Sequence, residues 1–135
     1  FDEHKPIGLY RFNKKLFYFD INGKIIDEYD EKKNYGKSLI VFFGPSSNLK
    51  AKEFIDVLDS LNFQNKYSIK RINYIQKRRW DVFIDNNIKL MLSETNPKRS
   101  LQNFIKVKKN LSETDMNNIK YLDLRNINKT LINYN

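Results

Sequence analysis

Residues 7–12 and 15–20 are rich in β-branched and aromatic side chains, with the polar pair Asn13-Lys14 between them. The next stretch, Asp20-Ile21-Asn22-Gly23-Lys24-Ile25-Ile26, sets an Asn-Gly pair between apolar positions. Asn-Gly is the strongest short hairpin signal, because both central residues of the favoured turn take positive φ. These stretches predict a β meander. Residues 28–37 are charged and include Gly36, and composition shifts within them. A subdomain boundary is expected there, dividing the chain into 1–33 and 34–135.

Ser38-Leu39-Ile40-Val41-Phe42-Phe43 predicts a buried strand, or an extended lead into one, broken by Gly44-Pro45-Ser46-Ser47-Asn48. Past the break, Leu49, Ile55, Leu58 and either Leu61 or Phe54 fall on one broad face at the three- and four-residue spacing of a helix. Residues 67–76 alternate imperfectly through Tyr67, Ile69, Ile72 and Tyr74, as in a strand with one irregularity. Trp80 to Ile84 and Ile88 to Leu92 alternate well and pair across Asp85-Asn86-Asn87. Asn96-Pro97 then supplies an N-cap followed by proline at the first helical position, where its missing N–H costs nothing. Leu101, Phe104, Ile105 and the stem of Lys108 give this second helix a buried stripe, with Leu111 near its end. The last strands are expected over 119–125 and 130–134.

The order is strand, helix, three strands, helix, two strands, after the opening meander. It predicts an α+β fold: a mixed, largely antiparallel curved sheet with two helices packed on one face. Trp80, Val82, Ile84, Leu90, Leu122 and Leu124 should line the core with Leu101, Phe104 and Ile105. A chain of 135 residues fits one domain, or one domain plus a fragment of another, and buries enough surface to need no covalent staple.

The chain has no cysteine, which removes thiol catalysis, cysteine–zinc sites and disulfides. Its net charge of +9 raises nucleic-acid binding as an alternative. The lysines are scattered, however, and accompany abundant asparagine and isoleucine, residues with A/T-rich codons. His4, the one histidine, has Asp2 and Glu3 beside it but no marked nucleophile. The Gly44 to Asn48 segment lacks P-loop spacing, and Ser or Asn capping explains it. The carboxylates are too dispersed for a metal cluster or a glycosidase pair. Lys77-Arg78-Arg79-Trp80 is the densest basic run, but strand alternation turns Trp80 and Arg79 to opposite faces. No catalytic residue, metal site or cofactor is expected. Along Tyr121-Leu122-Asp123-Leu124-Arg125, in contrast, Tyr121, Asp123 and Arg125 share one face beside a terminal strand, a potential recognition strip.

Three marked stretches together resemble the FtsQ/DivIB family of bacterial division proteins, from about Pro6 to Tyr134. Pro6-Ile7-Gly8-Leu9-Tyr10 with Leu16 to Gly23 looks like the end of the family's POTRA domain. Trp80 through Leu92 is similar to its tryptophan-led hairpin, and Tyr121 to Arg125 to its Asp-x-Arg strand. The resemblance implies a non-enzymatic scaffold of the division complex, anchored in the inner membrane by one helix, with this portion in the periplasm at the septum. It implies FtsB-like and FtsL-like coiled-coil partners, among other division proteins, and strand addition at the last strand. By position, Arg125 would be the charged contact, with Asn126, Asn128, Lys129, Thr130, Leu131, Ile132, Asn133 and Tyr134 forming turn and edge; Tyr121 and Asp123 join the partner-binding candidates from the strand face they share with Arg125. Asn126 stands where many members have an aromatic residue, and Lys129 where a turn glycine is common. A POTRA-like export chaperone is a further alternative, though nothing in the chain repeats.

Overall fold

The computed structural model describes residues 5–33, 35 and 38–135. It contains strands β1 (Gly8–Phe12), β2 (Lys15–Phe19), β3 (Ile25–Glu28), β4 (Val41–Phe43), β5 (Ile69–Ile75), β6 (Arg79–Ile84), β7 (Lys89–Leu92), β8 (Ile119–Leu124) and β9 (Leu131–Tyr134). The helices are α1 (Ser47–Ser60), α2 (Phe63–Lys66), α3 (Pro97–Lys108) and α4 (Glu113–Asn118). The strands form one open sheet in the order β3-β2-β1-β4-β5-β6-β7-β8-β9. Neighbours are antiparallel except at β1–β4, β4–β5 and β7–β8. Two of these parallel pairs explain where the helices go. A parallel neighbour needs a crossover, and α1–α2 bridge β4 to β5 while α3–α4 bridge β7 to β8. The sheet runs through the expected boundary at 33/34, because β1 pairs with both β2 and β4.

Alternation along the strands assigns the faces. Phe42, Ile72, Val82, Leu90, Leu92, Leu122 and Leu124 are fully buried and meet Ala51, Phe54 and Leu58 of α1 and Leu101 and Phe104 of α3. Trp80 stacks on Phe54 (ring centres 4.9 Å apart) and Tyr74 (4.3 Å) and meets Phe42 edge-on. Ile84 completes the buried set expected from β6. Ile105 differs: it is only partly buried, at the margin of the cluster. Leu49 differs more, being 60% exposed, because α1 turns Ala51, Phe54 and Leu58 inward instead.

Two α-helices are expected and four are present among the described residues; the additions are one four-residue and one six-residue helix. The irregularity expected in β5 is a register shift between Ile69 and Arg71. The Asn22-Gly23 turn is not the double positive-φ type. Only Gly23 of the pair has positive φ (81°), and its N–H donates to the Asp20 carbonyl at 2.9 Å. The Asp20 carboxylate accepts from the N–H groups of Asn22 (2.9 Å) and Lys24 (3.0 Å), giving a three-residue hairpin loop. Gly23 also packs tightly on α1, where a Cβ would lie 2.7 Å from the Asn48 carbonyl oxygen. Double positive-φ turns occur elsewhere, at Asn13-Lys14, Gln76-Lys77 and Asn86-Asn87.

The expected capping of α1 is absent. Ser46 is in the left-handed region and makes no side-chain cap. Asn48 Nδ2 instead donates to the Gly23 carbonyl at 2.7 Å. At α3 the expected cap is present: Asn96 Oδ1 accepts from the Arg99 N–H at 3.1 Å, with Pro97 at the first helical position.

Candidate functional site at the terminal sheet edge

The last two strands form the far edge of the sheet. β9 pairs antiparallel with β8, setting Asp123 opposite Leu131, Leu122 opposite Ile132 and Tyr121 opposite Asn133. Among the described residues no strand pairs with the other side of β9. Which backbone groups face that open side follows from alternation. The Asn135 N–H donates inward to the Asn118 carbonyl at 2.7 Å. N–H groups of successive residues in a strand point to opposite sides. Leu131 and Asn133 therefore point inward with Asn135, and Ile132 and Tyr134 present their N–H and C=O groups to the open side. Leu131 and Tyr134 are also about half exposed (51% and 49%).

The turn before β9 is held in three places. The Asn126 side-chain oxygen accepts from the Asn128 N–H at 2.9 Å, and the Asn126 carbonyl from the Lys129 N–H at 3.1 Å. Asn103 of α3 donates from Nδ2 to the Ile127 carbonyl at 2.8 Å. Beneath these, the buried Ser100 hydroxyl donates to the Leu124 carbonyl (2.6 Å) and accepts from the Ser93 N–H (2.9 Å). No residue from Arg125 to Thr130 has positive φ. Lys129 therefore sits in this turn without backbone strain. Ser100 and Asn103 had no place in the sequence reading. Their one signal is that each polar residue directly precedes a core residue, Leu101 or Phe104.

Tyr121, Asp123 and Arg125 share the helix-free face, as expected. The Lys89 ammonium lies 5.6 Å from the Tyr121 ring centre. Arg125 is already engaged: its Nε and a terminal nitrogen donate to both Asp123 oxygens at 2.9 and 2.7 Å, and its N–H bonds the same carboxylate at 3.1 Å. These bonds hold the Asp123 carboxyl below its ordinary range and push Arg125 up. Asp81, on β6, behaves oppositely: burial raises its pKa despite Arg79 at 3.4 Å. Around the edge, Lys120, Arg125 and Lys129 are exposed, and Asp123, Arg125, Asn126, Lys129 and Leu131 line an open depression of about 400 Å³.

A family model described as "Cell division protein FtsQ/DivIB, C-terminal" matches residues 9–125. The chain belongs to the FtsQ/DivIB family. That match covers most of the sheet and both long helices, and it assigns the chain a role in cell division. FtsQ/DivIB proteins are division-site membrane-anchored proteins; among the described residues here no helix is long and apolar enough to cross a membrane. No curated protein sequence matches the chain.

The other candidates fall in different places. Trp80 is buried on the helix side, which removes it as a base-stacking platform. Arg78 reaches Glu94 at 3.6 Å on the exposed surface, while Arg79 pairs with Asp81 on the opposite face from Trp80. His4, with Asp2 and Glu3, lies outside the described residues.

Proposed function

We propose that this domain is a non-enzymatic scaffold of the division complex that recruits FtsB-like and FtsL-like partners by strand addition at β9. In the cell it would be tethered by a membrane helix outside this sequence, with the domain in the periplasm at the septum. Residues 1–33 would bring the chain from a POTRA domain into the sheet that 34–135 complete.

The observation that carries the reading is the contrast between the two sheet edges. Exposed strand edges template unwanted pairing and are normally blunted by charge. β3 carries Asp27 and Glu28, with Lys33 on Asp27 at 2.8 Å and Lys15 near Glu28 at 4.0 Å. β9 reads Leu131-Ile132-Asn133-Tyr134, with neither charge nor proline. An edge left open in this way is suited to accept a strand, main-chain bonds giving affinity and Leu131 and Tyr134 giving apolar contact. Lys120 and Lys129 around it favour a partner with acidic residues, while Arg125 is held by Asp123. Tyr134 supplies the aromatic contact that Asn126 does not.

Amide hydrogen exchange tests the reading. Adding an FtsB-like tail peptide should slow exchange at Ile132 and Tyr134, whose N–H groups face the open side. Slowing at β3 instead, or nowhere on the sheet edges, would refute it.

A further inference from the structure

The face of the sheet turned away from the helices carries a second feature, which strand addition at β9 does not use. Six strands each contribute one side chain: Arg11 (β1), Phe43 (β4), Arg71 (β5), Phe83 (β6), Lys89 (β7) and Tyr121 (β8). Cation and ring alternate across the sheet. The register sets Arg71 opposite Phe83, Phe83 opposite Lys89, and Lys89 opposite Tyr121. The Arg71 guanidinium lies 3.9 Å from the Phe83 ring centre and 6.0 Å from that of Phe43. Arg11 lies 5.7 Å from Phe43, and Lys89 5.6 Å from Tyr121. All six side chains are half-buried.

None of the three cations has a carboxylate partner among the described residues. The acids of the adjacent row, Asp81 and Asp123, are each occupied by an arginine of their own strand or its end, Arg79 and Arg125. Resting a guanidinium on a ring fixes its long stem while leaving N–H groups at its rim for a planar carboxylate. The same contacts cover the ring faces that a nucleic-acid base would need for stacking.

Spacing narrows the ligand further. Adjacent strands lie about 4.8 Å apart, so Arg71 and Lys89, in one register row through Phe83, stand about 9.6 Å apart. Phe43 is opposite Asn73, which sets Phe43 and Arg11 two residues along the strands from that row. A polyproline II segment rises about 3.1 Å per residue and returns to the same side every third residue, about 9.3 Å along. We propose that this face binds an extended acidic peptide segment running across the strands. Aspartate or glutamate three residues apart engages Arg71 and Lys89, and Arg11 extends the positive face beside that row. The proposal goes beyond the docking edge and does not depend on it.

Fluorescence anisotropy on the full chain tests it, using a dye-labelled peptide of Glu-Pro-Ala repeats. The comparison probes are a peptide of the same composition with adjacent glutamates, single-stranded oligothymidine, and phosphatidylglycerol vesicles. The third-residue peptide should bind most tightly. Arg71→Gln with Lys89→Gln should weaken it roughly twenty-five-fold, about fivefold per half-buried cation. Lys89→Gln alone provides a second variant if the double substitution disturbs folding, and it should lose about fivefold. Equal binding of both peptides, or of oligothymidine or vesicles, would overturn the proposal in favour of unspecific polyanion attraction. Unchanged affinity in folded variants would also overturn it. So would loss of binding on Ile132→Pro rather than on Arg71→Gln, which would place the peptide at β9 instead.

Discussion

Ser100→Ala removes one oxygen atom, yet it should be among the costlier single substitutions near the docking edge. The Ser100 hydroxyl is fully buried and joins three elements, donating to the Leu124 carbonyl at the end of β8 and accepting from the Ser93 N–H after β7. Alanine leaves both backbone groups without this partner. A buried unsatisfied group costs about 1–3 kcal/mol. Alanine's better helix propensity returns about 0.5 kcal/mol, and local relaxation returns more. The expected net loss is about 2–3 kcal/mol. For a domain of this size that lowers Tm by about 6–12 °C. Urea unfolding followed by circular dichroism gives the free energy, with an unchanged slope confirming that the unfolding transition itself is the same. Hydrogen exchange should also quicken over Arg125 to Thr130, because Ser100 holds the strand from which that turn starts. A loss below about 0.5 kcal/mol with normal exchange there would show that the hydroxyl does not support the edge.

Three further outcomes are expected. Trp80→Ala should cost about 3–5 kcal/mol by urea unfolding, since the indole is sandwiched between Phe54 and Tyr74; a loss under 1.5 kcal/mol would contradict that packing. Asp123 has its folded pKa lowered by Arg125, so its contribution is present at neutral pH and lost as pH falls through the folded value. The stability gap between wild type and Asp123→Asn should therefore close in acid, and a gap constant down to pH about 3 would refute the pairing. Asp81 is raised by burial, so its ionised form costs stability that is relieved as pH falls. Asp81→Asn should then gain on wild type as pH rises, and a pH-independent difference would show the burial effect to be negligible.

Much of the architecture was legible because period and turn chemistry agreed. Trp80, Val82, Ile84 and Leu90 recur at every second position of their strands and are buried, and Asn96-Pro97 marks the start of α3 with the expected bond. Errors came where two local signals competed. Leu49 fits the helical spacing, but Ala51, Phe54 and Leu58 define a narrower buried face, and a first-turn residue can lie outside the packed layer. Asn22-Gly23 carries a turn signature, but the Asp20 carboxylate stabilises a different turn by bonding two N–H groups. α4 had a readable start: Ser112 and Asp115 form a reciprocal capping box, a four-residue pattern visible in the sequence. The face shared by Tyr121, Asp123 and Arg125 followed from alternation. That Arg125 is held by Asp123, and that Ser100 and Asn103 anchor the edge, required residues distant in sequence to be brought together.

The central claim is that a partner strand adds to the open side of β9. The most direct measurement is titration of an FtsB-like tail peptide against wild type, Ile132→Pro and Asn133→Pro, with circular dichroism on each. Proline removes one N–H donor. At Ile132 that donor faces outward, so binding should weaken at least tenfold, about 1.4 kcal/mol, while the fold persists. At Asn133 it faces β8, so stability should fall. Equal peptide affinity for wild type and folded Ile132→Pro would contradict the claim.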